Sequence, residues 1–117
     1  KFLWKKEPYL KLSEDHFEKE ILQSPGMLNI VVFTKEWLGG GQILDDYMTE
    51  LAKVCGNAVK FHRVDVEESS KYKEAYGVSR LPTTLFFRNG EIVDYFPGLI
   101  AKRKIKARIE ALLRQAE

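Results

Sequence analysis

The sequence predicts an α/β domain, a mixed sheet flanked by helices. Val- and Ile-rich segments alternate with segments of helical periodicity, in the order β-α-β-α-β-α-β-β-α. The last two strand candidates are joined by Asn89-Gly90, a dipeptide that suits a tight hairpin because both residues tolerate positive φ. The first three crossovers favour mixed or parallel pairing, and the hairpin adds an antiparallel pair.

Each element has its own signal. Lys1 to Pro8 mixes Phe2, Leu3 and Trp4 with lysines and is expected to be an N-terminal arm, with residues 9–117 forming a single domain. Tyr9 to Leu12 is a short strand candidate. Ser13 then offers a helix N-cap, and Glu14 and Asp15 fall in the first turn, where the helix dipole favours acids. Phe17, Ile21 and Leu22 form that helix's apolar stripe, and Ser24-Pro25-Gly26 ends it. Leu28 to Thr34 is a nearly continuous apolar run, the pattern of a strand buried on both faces. After Gly39-Gly40-Gly41, the spacing of Ile43, Leu44, Tyr47, Leu51 and Val54 predicts a helix, stopped by Gly56-Asn57. Val59 to Val66 is the next strand. A short helix follows Ser69-Ser70 and closes at Gly77. Thr83–Phe87 and Glu91–Phe96 are the hairpin strands, and Ala101 to Ala116 is a final helix with Ile105, Ile109, Leu112 and Leu113 facing inward.

Composition narrows the function classes. The chain has 117 residues, 44% of them apolar and 31% charged, with a mean hydropathy of −0.31, so it is not a disordered tract. Its apolar runs are far shorter than the ~20 residues of a spanning helix, so no membrane span is expected. A soluble protein is expected, with the cytoplasm favoured, although the compartment itself stays open. The single cysteine, Cys55, excludes an intrachain disulfide. Two histidines, His16 and His62, leave little for a metal cluster, and neither a metal nor a cofactor is expected. No nucleic-acid partner is expected from a net charge of +2. Residues 99–117 are more basic, at +4 against −2 for the remainder, which reads as a solvated helix face. No Ser-His-Asp or paired-carboxylate arrangement is defensible. The chain begins at Lys1 rather than methionine, so it is expected to be processed, trimmed or cut from a larger protein.

Several motifs, in order, resemble thioredoxin. Val31-Val32-Phe33-Thr34-Lys35-Glu36-Trp37 resembles the strand leading to the family's active site, and Val64-Asp65-Val66-Glu67-Glu68 resembles the strand end before its third helix. Tyr76-Gly77-Val78-Ser79-Arg80-Leu81-Pro82-Thr83 resembles the loop that carries the family's cis-proline. Phe87-Arg88-Asn89-Gly90-Glu91 resembles its hairpin, and Gly98 its glycine after the last strand. The resemblance covers roughly Leu10 to Leu113. It implies a thioredoxin-like three-layer α/β/α fold, a mixed five-stranded sheet with four helices, and a cis bond before Pro82.

The family's active-site motif departs here. Where thioredoxins carry Trp-Cys-Gly-Pro-Cys, this chain reads Trp37-Leu38-Gly39-Gly40-Gly41. Disulfide exchange needs one thiolate to attack and a second thiol to resolve the mixed disulfide. Leu38 and Gly41 supply neither, so the loop holds no expected catalytic residue and enzyme activity is not expected from it. A phosphate loop would require Gly-Lys-Ser/Thr, and Gln42-Ile43 follows instead, so the glycines read as a flexible remnant. Cys55 lies ~21 Å along the same helix, too far to replace a loop cysteine. Val32 occupies the position of the family's buried aspartate. Arg63 is near the cation that pairs with it, which leaves Arg63 in need of another partner.

The resemblance leaves one surface to consider. In thioredoxins the backbone before the cis-proline hydrogen-bonds an extended substrate segment, a general mode of peptide capture. Trp37, Leu38, Leu81 and Pro82 are therefore the candidate peptide- or partner-binding residues, with Phe96 a further candidate for the apolar patch. Trp37 has two readings, patch member or packed against its own helix. The functional expectation is a redox-inactive thioredoxin-like protein, a noncatalytic binding or adaptor module of chaperone-like type, whose partner is a protein or extended peptide segment. The alternatives are a one-thiol redox protein acting through Cys55 and a domain of a larger protein.

Overall fold

The computed structural model describes residues 9–115. The expected arm at residues 1–8 and the expected helix end at Ala116 lie outside them. A five-stranded mixed sheet forms from β1 (Tyr9–Lys11), β2 (Leu28–Thr34), β3 (Val59–Asp65), β4 (Thr83–Arg88) and β5 (Glu91–Pro97), in the spatial order β1-β3-β2-β4-β5. The first three strands pair in parallel, while β4 runs antiparallel to both β2 and β5. Four helices cover the sheet: α1 (Glu14–Phe17), α2 (Gly41–Cys55), α3 (Lys71–Ala75) and α4 (Lys102–Arg114).

β2 sits at the centre because all seven of its residues are buried. Alternation then splits its side chains between two cores. Ile30 and Val32 join Leu44, Met48, Phe61, Phe86, Ile105 and Ile109 beneath α2 and α4. Val31 and Phe33 join Phe17, Ile21, Tyr72, Leu85 and Phe87 beneath α1 and α3. Phe17 stacks on Tyr72 at 3.9 Å between ring centroids and meets Phe87 edge-on.

Local details differ from the sequence reading. Past Phe17, α1 continues as a π-helical turn over Glu18–Leu22, which brings both Phe17 and Ile21 to the core. Ser13 stands at the N-cap, but its hydroxyl lies 2.9 Å from His16 Nδ1 and makes no side-chain cap bond. β1 ends at Lys11, one residue early, although the Leu12 N–H still donates to the Arg63 carbonyl at 2.7 Å. β3 likewise stops at Asp65, whose carboxylate turns back to accept the Glu67 N–H. No described helix is long and apolar enough to cross a membrane.

Candidate functional site

Two loops and the turn after β5 meet at one end of the sheet. The first loop links β2 to α2. Trp37 sits there with φ +62°, a left-handed conformation uncommon outside glycine, and is 99% exposed. It therefore does not pack on α2. Leu38 is half-buried, and its carbonyl accepts the Gly41 N–H at 3.0 Å. Gly40, at φ +83°, caps α2, and its carbonyl accepts the Leu44 N–H. Gly41 is buried, and a Cβ there would lie 3.0 Å from Thr34 Oγ1 and 3.3 Å from Leu38 Cβ. Gly41 is thus a packed position whose missing side chain lets the helix start close against β2, whereas Gly39 is exposed with open space where a Cβ would stand.

The second loop contains Leu81 and Pro82, and the peptide bond between them is cis. Pro82 is buried and Leu81 half-buried. Neither the N–H nor the carbonyl of Leu81 makes a backbone hydrogen bond among the described residues. The turn after β5 joins this loop to the first. The Gly98 N–H donates to the Pro82 carbonyl at 2.6 Å, and Leu99 lies 3.6 Å from where a Gly40 Cβ would stand. Leu99 is 46% exposed. Phe96, by contrast, packs edge-on against Phe86 in the α2/α4 core, so the apolar surface holds Leu99 in its place. Sequence reasoning passed over Leu99. The available signal was the Pro97-Gly98 turn, which directs the next residue back toward the loops.

Polar groups deeper in the fold answer the question of Arg63. It lies beside Val32 in the β2–β3 register, and its Nε is 3.6 Å from Asp45 Oδ2 of α2. The Tyr9 hydroxyl donates to Asp45 Oδ1 at 2.7 Å. Burial pushes the Asp45 carboxyl above the usual carboxylate range, against the Tyr9 bond and the Arg63 charge. Burial, followed by the nearby Asp45 charge, raises the Tyr9 phenol. On the other face, buried His62 donates from Nε2 to Asn29 Oδ1 at 3.0 Å. Desolvation lowers its imidazole to about 4, partly offset by Glu20.

Cys55 is the last residue of α2, at the end opposite Gly41, and is half-buried. Burial, and secondarily the Glu110 charge, raise its thiol, which disfavours the nucleophilic thiolate. No group of three or more His, Cys, Asp or Glu among the described residues is placed to hold a metal ion.

The thioredoxin family model matches residues 8–111. This chain belongs to the thioredoxin family. It is similar to a protein named Thioredoxin from Rhodospirillum rubrum, 29% identical over 101 residues, covering 86% of this chain and 96% of that protein. It is 34% identical over 89 residues to Thioredoxin of Rickettsia typhi, covering 76% and 84% of the two chains. With Thioredoxin of Rickettsia felis the identity is 30% over 94 residues, covering 80% and 89%.

These relatives correct the functional expectation. They carry the name of a redox family, and nothing in them supports a redox-inactive adaptor. The expectation took the loss of two sulfurs at Leu38 and Gly41 as the gain of a different role. Losing a dithiol removes one route of exchange and does not by itself create an adaptor. What stands is narrower: a thioredoxin-family chain with one cysteine holds no dithiol of its own.

Proposed function

We propose that this thioredoxin-family chain engages an extended polypeptide segment of a protein partner along the Leu81 backbone, between Trp37, Leu38 and Pro82. This is the substrate-recognition step of the family's redox function. The observation that carries the reading is the unpaired Leu81 backbone, a donor and an acceptor without backbone partners at the mouth of the two loops. An extended peptide satisfies both groups by strand-like pairing. Trp37 supports the reading as well, because it is fully exposed and tryptophan is one of the residue types enriched among interface anchors. Leu38, beside Gly41, and Leu99, beside Gly40, add apolar surface at this end of the sheet.

The test is a titration of the 15N-labelled chain with a ten-residue Ser-Val repeat, acetylated and amidated at its ends, followed by NMR. The Leu81 amide and the Trp37 indole N–H should shift together. Trp37→Gly suits the local φ of +62° and so removes the side chain without straining the loop. It should weaken binding about tenfold. Shifts confined to the β5 edge, or none at millimolar peptide, would overturn the reading.

A further inference from the structure

Arg80 immediately precedes Leu81, and its side chain is exposed. A Cβ built on Gly98 would stand 3.2 Å from each of Arg80 Cζ, Nε and Nη2. Equal distances to three atoms of one planar group turn a face of the guanidinium toward the space that a Gly98 side chain would fill. Gly98 is buried at φ +79°, and its N–H already bonds the Pro82 carbonyl. The residue that seats the guanidinium is therefore the one that ties this turn to the proline loop. With one face resting on glycine, the N–H edges of the fork remain available.

Nothing within the described chain uses them. Four ion pairs form among the described residues, and Arg80 is in none. Of the two acids on the strand that leads to Gly98, Asp94 is engaged by Arg108 and Glu91 stands at the far, hairpin end opposite Arg88. A seated, unneutralised guanidinium beside an unpaired backbone edge is suited to a carboxylate, which matches its planar pair of donors. The neighbouring Leu81 and Leu99 are apolar and offer no competing charge.

We propose that Arg80 makes this edge selective for extended segments bearing an aspartate or glutamate side chain close to the residue paired with Leu81. The inference rests on the peptide-edge reading above and adds the chemical class of the segment. An arginine fork is worth more here than a lysine, because the seat over Gly98 fixes its plane before any partner arrives.

The experiment uses the same end-blocked Ser-Val repeat, fluorescein-labelled on an added lysine side chain, with glutamate or glutamine placed at each serine in turn. End-blocking removes the terminal carboxylate, and the charge of the dye is common to both twins, so the glutamate side chain is the only charge that differs between them. At one position the parent chain should bind the glutamate peptide about tenfold more tightly than its glutamine twin. That ratio should fall toward one in Arg80→Gln and shrink in 1 M salt. Thermal unfolding of Arg80→Gln checks that the exposed substitution leaves the fold intact. Equal binding of glutamate and glutamine peptides by the parent would overturn the proposal while leaving the peptide edge in place. So would a preference that persists in Arg80→Gln. Failure of every peptide to bind the parent would remove the edge reading and this one with it.

Discussion

Val32 is fully buried and lies in register between Arg63 of β3 and Thr84 of β4. Its neighbours are more polar than it is. Thr84 Oγ1 and Arg63 Nε are both buried without a hydrogen-bond partner, and Arg63 only approaches Asp45 from one side. Thioredoxins with a buried aspartate at this position carry an acid where this chain carries a methyl-rich side chain. Val32→Asp tests how far the surroundings still suit the acid. Burying a carboxylate costs more than a nearby arginine returns unless the geometry is good. A loss of about 3 kcal/mol at pH 8 is expected. The sign of its pH dependence follows from desolvation. A buried acid has a raised folded-state pKa, so the deficit is largest when the group must be ionised and shrinks as pH falls toward 4. Urea unfolding of parent and variant at both pH values reads this directly. A deficit that does not change with pH would mean that shape, not charge, sets the cost.

At the scale of elements, β3 was legible as a strand from Val59 onward, but not in what its polar residues do. His62 and Arg63 look misplaced in a central strand until alternation sends them to opposite faces. Arg63 then reaches Asp45 of α2, and His62 reaches Asn29 of β2, 33 positions away in sequence. No local pattern encodes such pairings, because they depend on which strands become neighbours. The same limit hid Leu99, whose place beside the loops comes with the Gly98–Pro82 bond, and the contact that Gly98 makes with the Arg80 guanidinium. Helix ends were legible where glycine marks them, and the π-helical turn after Phe17 was not, since its apolar spacing resembles an ordinary helix. The His62–Asn29 pair has a measurable consequence. Glu20 and Lys60 act on this imidazole with opposite signs, and desolvation outweighs both, holding the folded-state value near 4. The unfolded chain takes up its proton near 6.5. Stability contributed by neutral His62 is therefore complete above about 6.5, falls as pH drops toward 4, and levels off below. The loss across that window is about 3 kcal/mol. In His62→Gln the slope between pH 6.5 and 4 should flatten relative to the parent. Equal slopes in the two proteins would assign the acid sensitivity to carboxylates instead.

The whole molecule is one sheet with a core on each face, and this arrangement decides how it unfolds. β2 and β4 contribute alternate residues to both cores: Ile30, Val32 and Phe86 to one, Val31, Phe33, Leu85 and Phe87 to the other. Neither core keeps its shape if the other lets the strands go. The binary pattern made the two faces readable from sequence, since a strand buried at every position must be covered on both sides. Leu44→Ala empties space under α2, and Phe17→Ala empties space under α1 and removes the ring that stacks on Tyr72. Each should cost about 3–4 kcal/mol, from lost transfer energy plus the cavity left behind. The two sites lie on opposite sides of the sheet with no shared side-chain partner, so their costs should add in the double variant within about 0.5 kcal/mol. Because the strands are common to both cores, each single variant should still unfold in one transition, with circular dichroism and aromatic fluorescence coincident. A Phe17→Ala protein that lost its aromatic signal well before its helical signal would show instead that the α2/α4 face holds the sheet alone. The two cores would then be separable units, and a single two-state free energy would no longer describe the double variant.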